Sequence, residues 1–353
     1  MRLLGPSFTV PSNASRFYKD QKTAIDQSLG SVQLAIKDDQ LIQNIFFNQS
    51  LIKYDECYCT TNSNLKGRYS SPSLSYLLPI LSNFVKNGVV VDIGCGQGEF
   101  VSELKRLGVD AHGYDPVLRV ESEFLHKKLW SISDLPADLY VMRCVLPHIQ
   151  DPFEFVSTIG QLPGRRLVLI EYQRLEWILE HSIWYQVSHD HVNLFTLNDF
   201  KSRYEVVRSG NFANGEWGWV LIDPKPLSQA VIISRTDFSV EIERLFSQKV
   251  SFLEKVANLD NQLIIWGAAG KGIVLSFALT SVSDDVIAID MDQNRWGYFM
   301  EGSGVLVNRP EEVLKSAKSD ALILVCNPNH LIEVQDFIGG RFKVLLPSEL
   351  ASD

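Results

Sequence analysis

Apolar residues along this chain gather in short runs that break into glycine. Val89-Val90-Val91 is a β-branched run, the signature of a strand buried on both faces. It breaks at Gly94-Cys95-Gly96-Gln97-Gly98, after which Phe100, Val101 and Leu104 recur at helical spacing. The same sequence of run, break and helix returns at Leu263-Ile264-Ile265-Trp266, followed by Gly267-Ala268-Ala269-Gly270-Lys271-Gly272. After the first break the pattern predicts strands over Val109–Asp115, Asp138–Val145, Arg166–Glu171, Phe200–Val207 and Gly218–Ile222. After the second it predicts Val286–Asp290 and Ala321–Cys326. Between the two sets, Val240, Ile242, Leu245, Phe246, Val250, Phe252 and Leu253 form the apolar stripe of a helix over Phe238–Val256. Strands that alternate with helices predict an α/β fold, here two parallel sheets in series. The first 64 residues are polar and irregular, with modest helices expected over Ile25–Ile36 and Gln40–Phe47. Ser71-Pro72-Ser73 caps a further helix over Leu74–Leu81. These shifts divide the chain into an N-terminal substrate or lid segment (1–72), a first α/β domain (73–235) and a second, smaller one (236–353).

Composition narrows the partners. A net charge of −9, with no dense basic run, argues against nucleic acid as the main partner. The most apolar stretch, Leu263–Val282, has Lys271 among glycines and is a poor membrane span. Pro6 and Pro11 interrupt the N-terminus, where a signal peptide would need an apolar core. Five scattered cysteines suit a reducing cytoplasm, the expected location. Cys57-x-Cys59 lacks a second ligand pair, so free thiols are expected there and no metal.

Candidate chemistry clusters at the ends of the predicted strands. Asp92 ends the first, and glycines at 94, 96 and 98 let a ligand approach backbone N–H groups. Asp115 ends the second, where an acid can accept both hydroxyls of a ribose. Asp-Ile-Gly-Cys-Gly-x-Gly over Asp92–Gly98 resembles motif I of class I S-adenosylmethionine (SAM) methyltransferases. The resemblance implies a Rossmann-like first domain. It also implies SAM as cofactor, held by Asp92, Gly94, Cys95, Gly96, Gly98, Asp115 and Arg143. Leu129–Leu135 lies where such enzymes line the adenine. Arg143-x-Val145-Leu146-x-His148-Ile149-x-Asp151-Pro152 is similar to a stretch common in the same class, and it brings His148 to the carboxyl end of the sheet. Further on, Ser188-His189-Asp190-His191 sets two histidines around a carboxylate, an arrangement that suits a general base. Lys271, at a strand-to-helix turn, combines a helix N-terminus with a point charge and suits a phosphate.

Taken together, these blocks resemble the bacterial sugar C-methyltransferases, which act on nucleotide-linked 4-keto deoxysugars. The family's Gly-Ala-x-x-Lys-Gly matches Gly267-Ala268-x-x-Lys271-Gly272. Its Asp-x-Asn-Pro-x-Lys-x-Gly-x-Tyr-x-Pro-Gly is similar to Asp290–Gly302, and its Tyr-x-Ser-Ser-x-Ser to Tyr58-x-Thr60-Thr61-x-Ser63. The family's Tyr-x-Glu-His aligns with Ser188-His189-Asp190-His191, so a serine and an aspartate stand where it has tyrosine and glutamate. Its four-cysteine zinc module is reduced to Cys57 and Cys59. The resemblance implies C-methylation with His191 as base, oriented by Asp190, while Tyr58 and His148 hydrogen-bond the ketone or enolate. Lys271, Asn327 and His189 would face the nucleotide-sugar. O-methylation of a sugar hydroxyl and non-catalytic SAM or sugar binding are the alternatives.

Overall fold

The computed structural model describes residues 1–55, 57–58, 88–228 and 236–352. The N-terminal segment differs from its expected helices. It forms β1 (Arg2–Pro11), β2 (Phe17–Tyr18), β3 (Leu29–Ile36) and β4 (Ile42–Asn44). Strands β1, β3 and β4 pair antiparallel, with one register shift in β1 between Leu4 and Phe8, and β3 buries Gly30, Val32 and Leu34 at every second position. That period of two, read against long-range partners, overrides the weak helical spacing. The expected helix over Leu74–Leu81, the 72/73 boundary and residue 235 lie outside the described residues.

Next in the chain come β5 (Val89–Ile93), β6 (Asp110–Tyr114), β7 (Leu125–His126), β8 (Leu139–Arg143) and β9 (Leu167–Gln173). The short β10 (Asn193–Leu194) leaves to pair with β4, and the hairpin β11 (Tyr204–Phe212) and β12 (Trp217–Pro226) follows. Seven strands make one sheet in the order β11-β12-β9-β8-β5-β6-β7. Strands β5 to β9 are parallel, and the hairpin closes one edge antiparallel. Val90, Val141 and Leu169 pack on one face against Phe100, Val101 and Leu104 of the helix Glu99–Arg106. Val91, Tyr140, Met142 and Ile170 pack on the other. A continuous apolar run is what a strand covered on both sides requires.

A second sheet contains β13 (Leu263–Trp266), β14 (Val286–Ile289), β16 (Val307–Asn308), β17 (Leu322–Val325) and β18 (Lys343–Leu345). All are parallel, in the order β16-β14-β13-β17-β18. The small β15 (Phe299–Met300) pairs instead with β2. One apolar core joins Val32 and Leu34 of the N-terminal sheet, Trp184, Phe252 of the helix Ser239–Val256, and Ile265 of the second sheet. The N-terminal strands therefore knit both α/β units together. Each parallel sheet reverses its strand order once, between β5 and β8 in the first and between β13 and β17 in the second. The crevices outside those strand ends are where open sheets take ligands.

Candidate active site

The first crevice is built by the glycine break. Gly94 and Gly98 adopt φ of +74° and +85°, and a Cβ on Gly94 would stand 2.4 Å from Val145 Cγ2. Only glycine fits there, because the turn must be left-handed and tight against the loop after β8. The Gly94 N–H donates to Tyr114 O (2.8 Å), and the Gly96 N–H donates to Asp115 Oδ2 (2.8 Å). Asp115 Oδ1 accepts from the Val117 N–H at 2.9 Å. Burial raises the Asp115 carboxyl, against the pull of those two N–H groups. Asp92 is 1% exposed, and its Oδ1 has no hydrogen-bond partner among the described residues. Burial pushes its carboxyl up to about 7, opposed by Arg143 and reinforced by Asp115 and Glu171. Arg143 stands 3.6 Å from Glu171 Oε2 and lies over the Phe100 ring, and Cys95 is buried. In the turn expected near the adenine, Trp130 packs into the core on Tyr140 and Phe155, while Leu129 and Ile132 are exposed.

Beside this crevice stand two imidazoles. His148 ends the turn Leu146–His148 that follows β8, and its Nδ1 lies 2.8 Å from the Asp190 carbonyl. A carbonyl can only accept, so Nδ1 carries the proton and Nε2 keeps a lone pair. The His191 ring packs edge-on at 4.7 Å between centroids. The Asp190 side chain does not serve His191 as expected. Its Oδ1 accepts from Ser188 Oγ (2.7 Å) and its Oδ2 from the Ala14 N–H (3.2 Å). The partner of His191 Nδ1 is instead the Gln186 amide nitrogen at 3.2 Å. Burial and the neighbouring His148 push the His191 imidazole down to about 4, against the attraction of Asp190. Burial alone would raise Asp190, but His191, His148 and its two hydrogen bonds hold it below the usual carboxylate range.

His189 corrects a second expectation. It is fully buried, with Nδ1 2.8 Å from Ser31 O and Nε2 3.2 Å from the Asn48 N–H. Both ring nitrogens are spent on the backbone of the N-terminal segment, so this histidine is a strut and offers nothing to a substrate. Tyr58 bridges to Arg16 and packs its ring 5.2 Å from that of Tyr54. Burial lifts its hydroxyl well above the ordinary value, with smaller contributions from Tyr54, Asp190 and Asp115. Tyr58 thus stands within electrostatic reach of both the first crevice and the histidine loop.

At the second crevice, Lys271 opens the helix Lys271–Leu279 after β13, and Asn327 opens the turn after β17. Both reach Glu216, which follows the β11–β12 turn of the first sheet. Lys271 Nζ lies 2.6 Å from Glu216 Oε1, and Asn327 Nδ2 lies 2.9 Å from Oε2. Glu216 carried no expectation from the sequence, because an acid after Asn214-Gly215 reads as an ordinary turn residue.

Residues 64–205 match a family model described as a methyltransferase domain. The chain carries a methyltransferase domain. Its donor is S-adenosylmethionine, and the fold is the α/β, Rossmann-like one expected. No curated protein matches the sequence. Among solved structures, the PH0226 protein of Pyrococcus horikoshii OT3 is similar at 16% identity, over 46% of this chain and 94% of its own, with a TM-score of 0.35. A SAM-dependent methyltransferase from Archaeoglobus fulgidus is similar at 17% identity, over 42% of this chain and 91% of its own, with a TM-score of 0.34. The 1,6-didemethyltoxoflavin-N1-methyltransferase of Burkholderia thailandensis, with its substrate and S-adenosylhomocysteine bound, is similar at 14% identity, over 43% and 75%, with a TM-score of 0.31. Likeness at these TM-scores adds nothing to the family match. The residues of the methyltransferase crevice fit the donor on their own terms. An orphaned buried carboxylate oxygen on Asp92 suits a cationic ligand, and Asp115 at the strand end suits a ribose. No helix among the described residues is long and apolar enough to cross a membrane.

Proposed function

We propose that this methyltransferase acts on a nucleotide-linked 4-keto deoxysugar and methylates the carbon next to the ketone. The observation that carries the reading is the pairing of His148 and His191 beside the donor crevice, with Asp190 of the same loop within electrostatic reach of Tyr58. SAM supplies a methyl group already activated on a sulfonium. The chain must then align the acceptor carbon, remove its proton and hold the enolate oxygen. His191 is the base. Depressed to about 4, its imidazole is neutral through the physiological range and able to accept a proton. Gln186 sets its tautomer. The amide nitrogen faces Nδ1 and donates to it, so the neutral ring carries its proton on Nε2 and Nδ1 is its basic atom. The neutral Tyr58 hydroxyl is the donor for the ketone oxygen, while His148, its tautomer fixed by the Asp190 carbonyl, offers only an acceptor at Nε2. Lys271 and Asn327 supply the donors for the nucleotide's phosphates.

One observation favours a second reading, O-methylation of a sugar hydroxyl. Ser188 replaces a tyrosine of the resembled family and spends its hydroxyl on Asp190, so one enolate donor is missing. A hydroxyl acceptor needs only a base. The test is incubation of the enzyme with SAM and a panel of nucleotide sugars with and without a 4-ketone, read by mass. The account expects the mass of one added methyl on a ketosugar and none with His191→Ala. Methyl addition only to sugars lacking a ketone would reject the carbon-methylation reading.

A further inference from the structure

Glu216 is 3% exposed at its side chain, yet it belongs to the first unit and its shortest hydrogen bonds come from the second. Three donors of the second unit converge on its carboxylate, Lys271 Nζ (2.6 Å), Asn327 Nδ2 (2.9 Å) and Asn329 Nδ2 (2.9 Å), beside a longer bond from Gln173 Nε2 of β9 (3.5 Å). The two amides have no freedom to turn. Asn327 Oδ1 accepts from the Asn329 N–H (3.0 Å), and Asn329 Oδ1 accepts from Asn214 Nδ2 (3.1 Å), so each Nδ2 must face Glu216. Lys271 also begins a nine-residue helix, whose N-terminal dipole adds to its charge. These groups follow β13 and β17, the two strands between which the second sheet reverses its order. That crevice is where such a sheet takes a ligand, and here a carboxylate from the neighbouring unit fills it.

We propose that the donors after β13 and β17 form an anion site for the phosphate groups of the acceptor, and that Glu216 is its internal occupant, displaced when the acceptor binds. The proposal rests on the nucleotide-sugar reading above and adds a gate to it. A diphosphate brings more charge and more acceptor oxygens than one carboxylate, so it can satisfy every donor that Glu216 satisfies. The turn that carries Glu216 is already strained. Ala213, Asn214 and Gly215 all adopt left-handed φ, at +49°, +51° and +83°. A cation also stands near for the displaced carboxylate. Arg174 Nη1 bonds the Gly215 carbonyl at 2.9 Å, one residue away. Filling the crevice would thereby shift the β11–β12 hairpin edge against the second unit.

The test is isothermal titration of the full chain with inorganic pyrophosphate, without SAM, for wild type, Glu216→Gln, Glu216→Asp and Glu216→Gln with Lys271→Met. Glu216→Gln should bind pyrophosphate at least about ten-fold more tightly than wild type, because the buried lysine is left uncompensated. Glu216→Asp, one methylene shorter, should fall between them. Adding Lys271→Met should abolish binding. If Glu216→Gln binds no more tightly than wild type, or binding survives Lys271→Met, the carboxylate is only a lock between the units and the proposal fails. Should Glu216→Gln not fold, Glu216→Asp against wild type decides on the same criterion. Pyrophosphate accepts no methyl group, so this result stands apart from any failure of the ketosugar assay.

Discussion

Replacing Asp92 by asparagine separates what the donor crevice needs from what the fold prefers. Asp92 is buried, and burial holds its carboxyl at about 7 where the ordinary value is 3.8. A folded pKa above the unfolded one means that the folded chain keeps this proton longer. The penalty is therefore absent below about pH 4, grows as pH rises towards 7 and is constant beyond it. At about 1.4 kcal/mol per pH unit between those two values, the full cost is about 4 kcal/mol, of which roughly a third is already present at pH 5. The Asp92→Asn side chain has no proton to lose. The stability gap between variant and wild type should accordingly widen by about 2–3 kcal/mol from pH 5 to pH 8, in favour of the variant. Urea unfolding at the two pH values measures it. SAM affinity should move the other way. The cationic donor favours the ionised carboxylate, so wild-type binding tightens as pH rises through 7, and the Asp92→Asn variant binds weakly at every pH. A stability gap that stays constant within about 0.5 kcal/mol would refute the reasoning, since the burial cost must scale with ionisation.

His191→Ala should lower turnover by about 10²-fold or more while SAM affinity, read by titration, stays within a few-fold. Gln186→Leu should cut turnover through loss of the hydrogen bond that fixes the His191 tautomer, and Gln186→Glu, whose carboxylate draws the ring proton to Nδ1, should raise the pH at which His191 becomes neutral; pH–rate profiles of the two variants check this. Gly30→Ala places a Cβ 2.2 Å from His189 Cγ, so it should destabilise the chain by about 1–3 kcal/mol in thermal melts without touching the crevice residues.

The parallel strands were readable because burial on both faces forces a continuous apolar run, as in Val89-Val90-Val91 and Leu263-Ile264-Ile265. Strands β7, β16 and β18 were not, being two or three residues long and held by their neighbours. The N-terminal strands were mistaken for helices because β3 and β4 owe their conformation to pairing across the fold. Among site residues, the glycine break and the two acids at strand ends could be placed by spacing alone. The role of His189 could not, because its partners Ser31 and Asn48 are 158 and 141 positions away. Glu216 escaped for the same reason, its partners Lys271 and Asn327 lying 55 and 111 positions away. Gln186 is only five positions from His191, but the loop between them has no regular period from which a contact could be read.

The most direct measurement is the carbon-13 spectrum of the product formed from methyl-labelled SAM and a nucleotide 4-ketosugar. The account predicts a labelled methyl bonded to a ring carbon adjacent to the former ketone. A methoxy signal, or label remaining wholly in the donor, would contradict it.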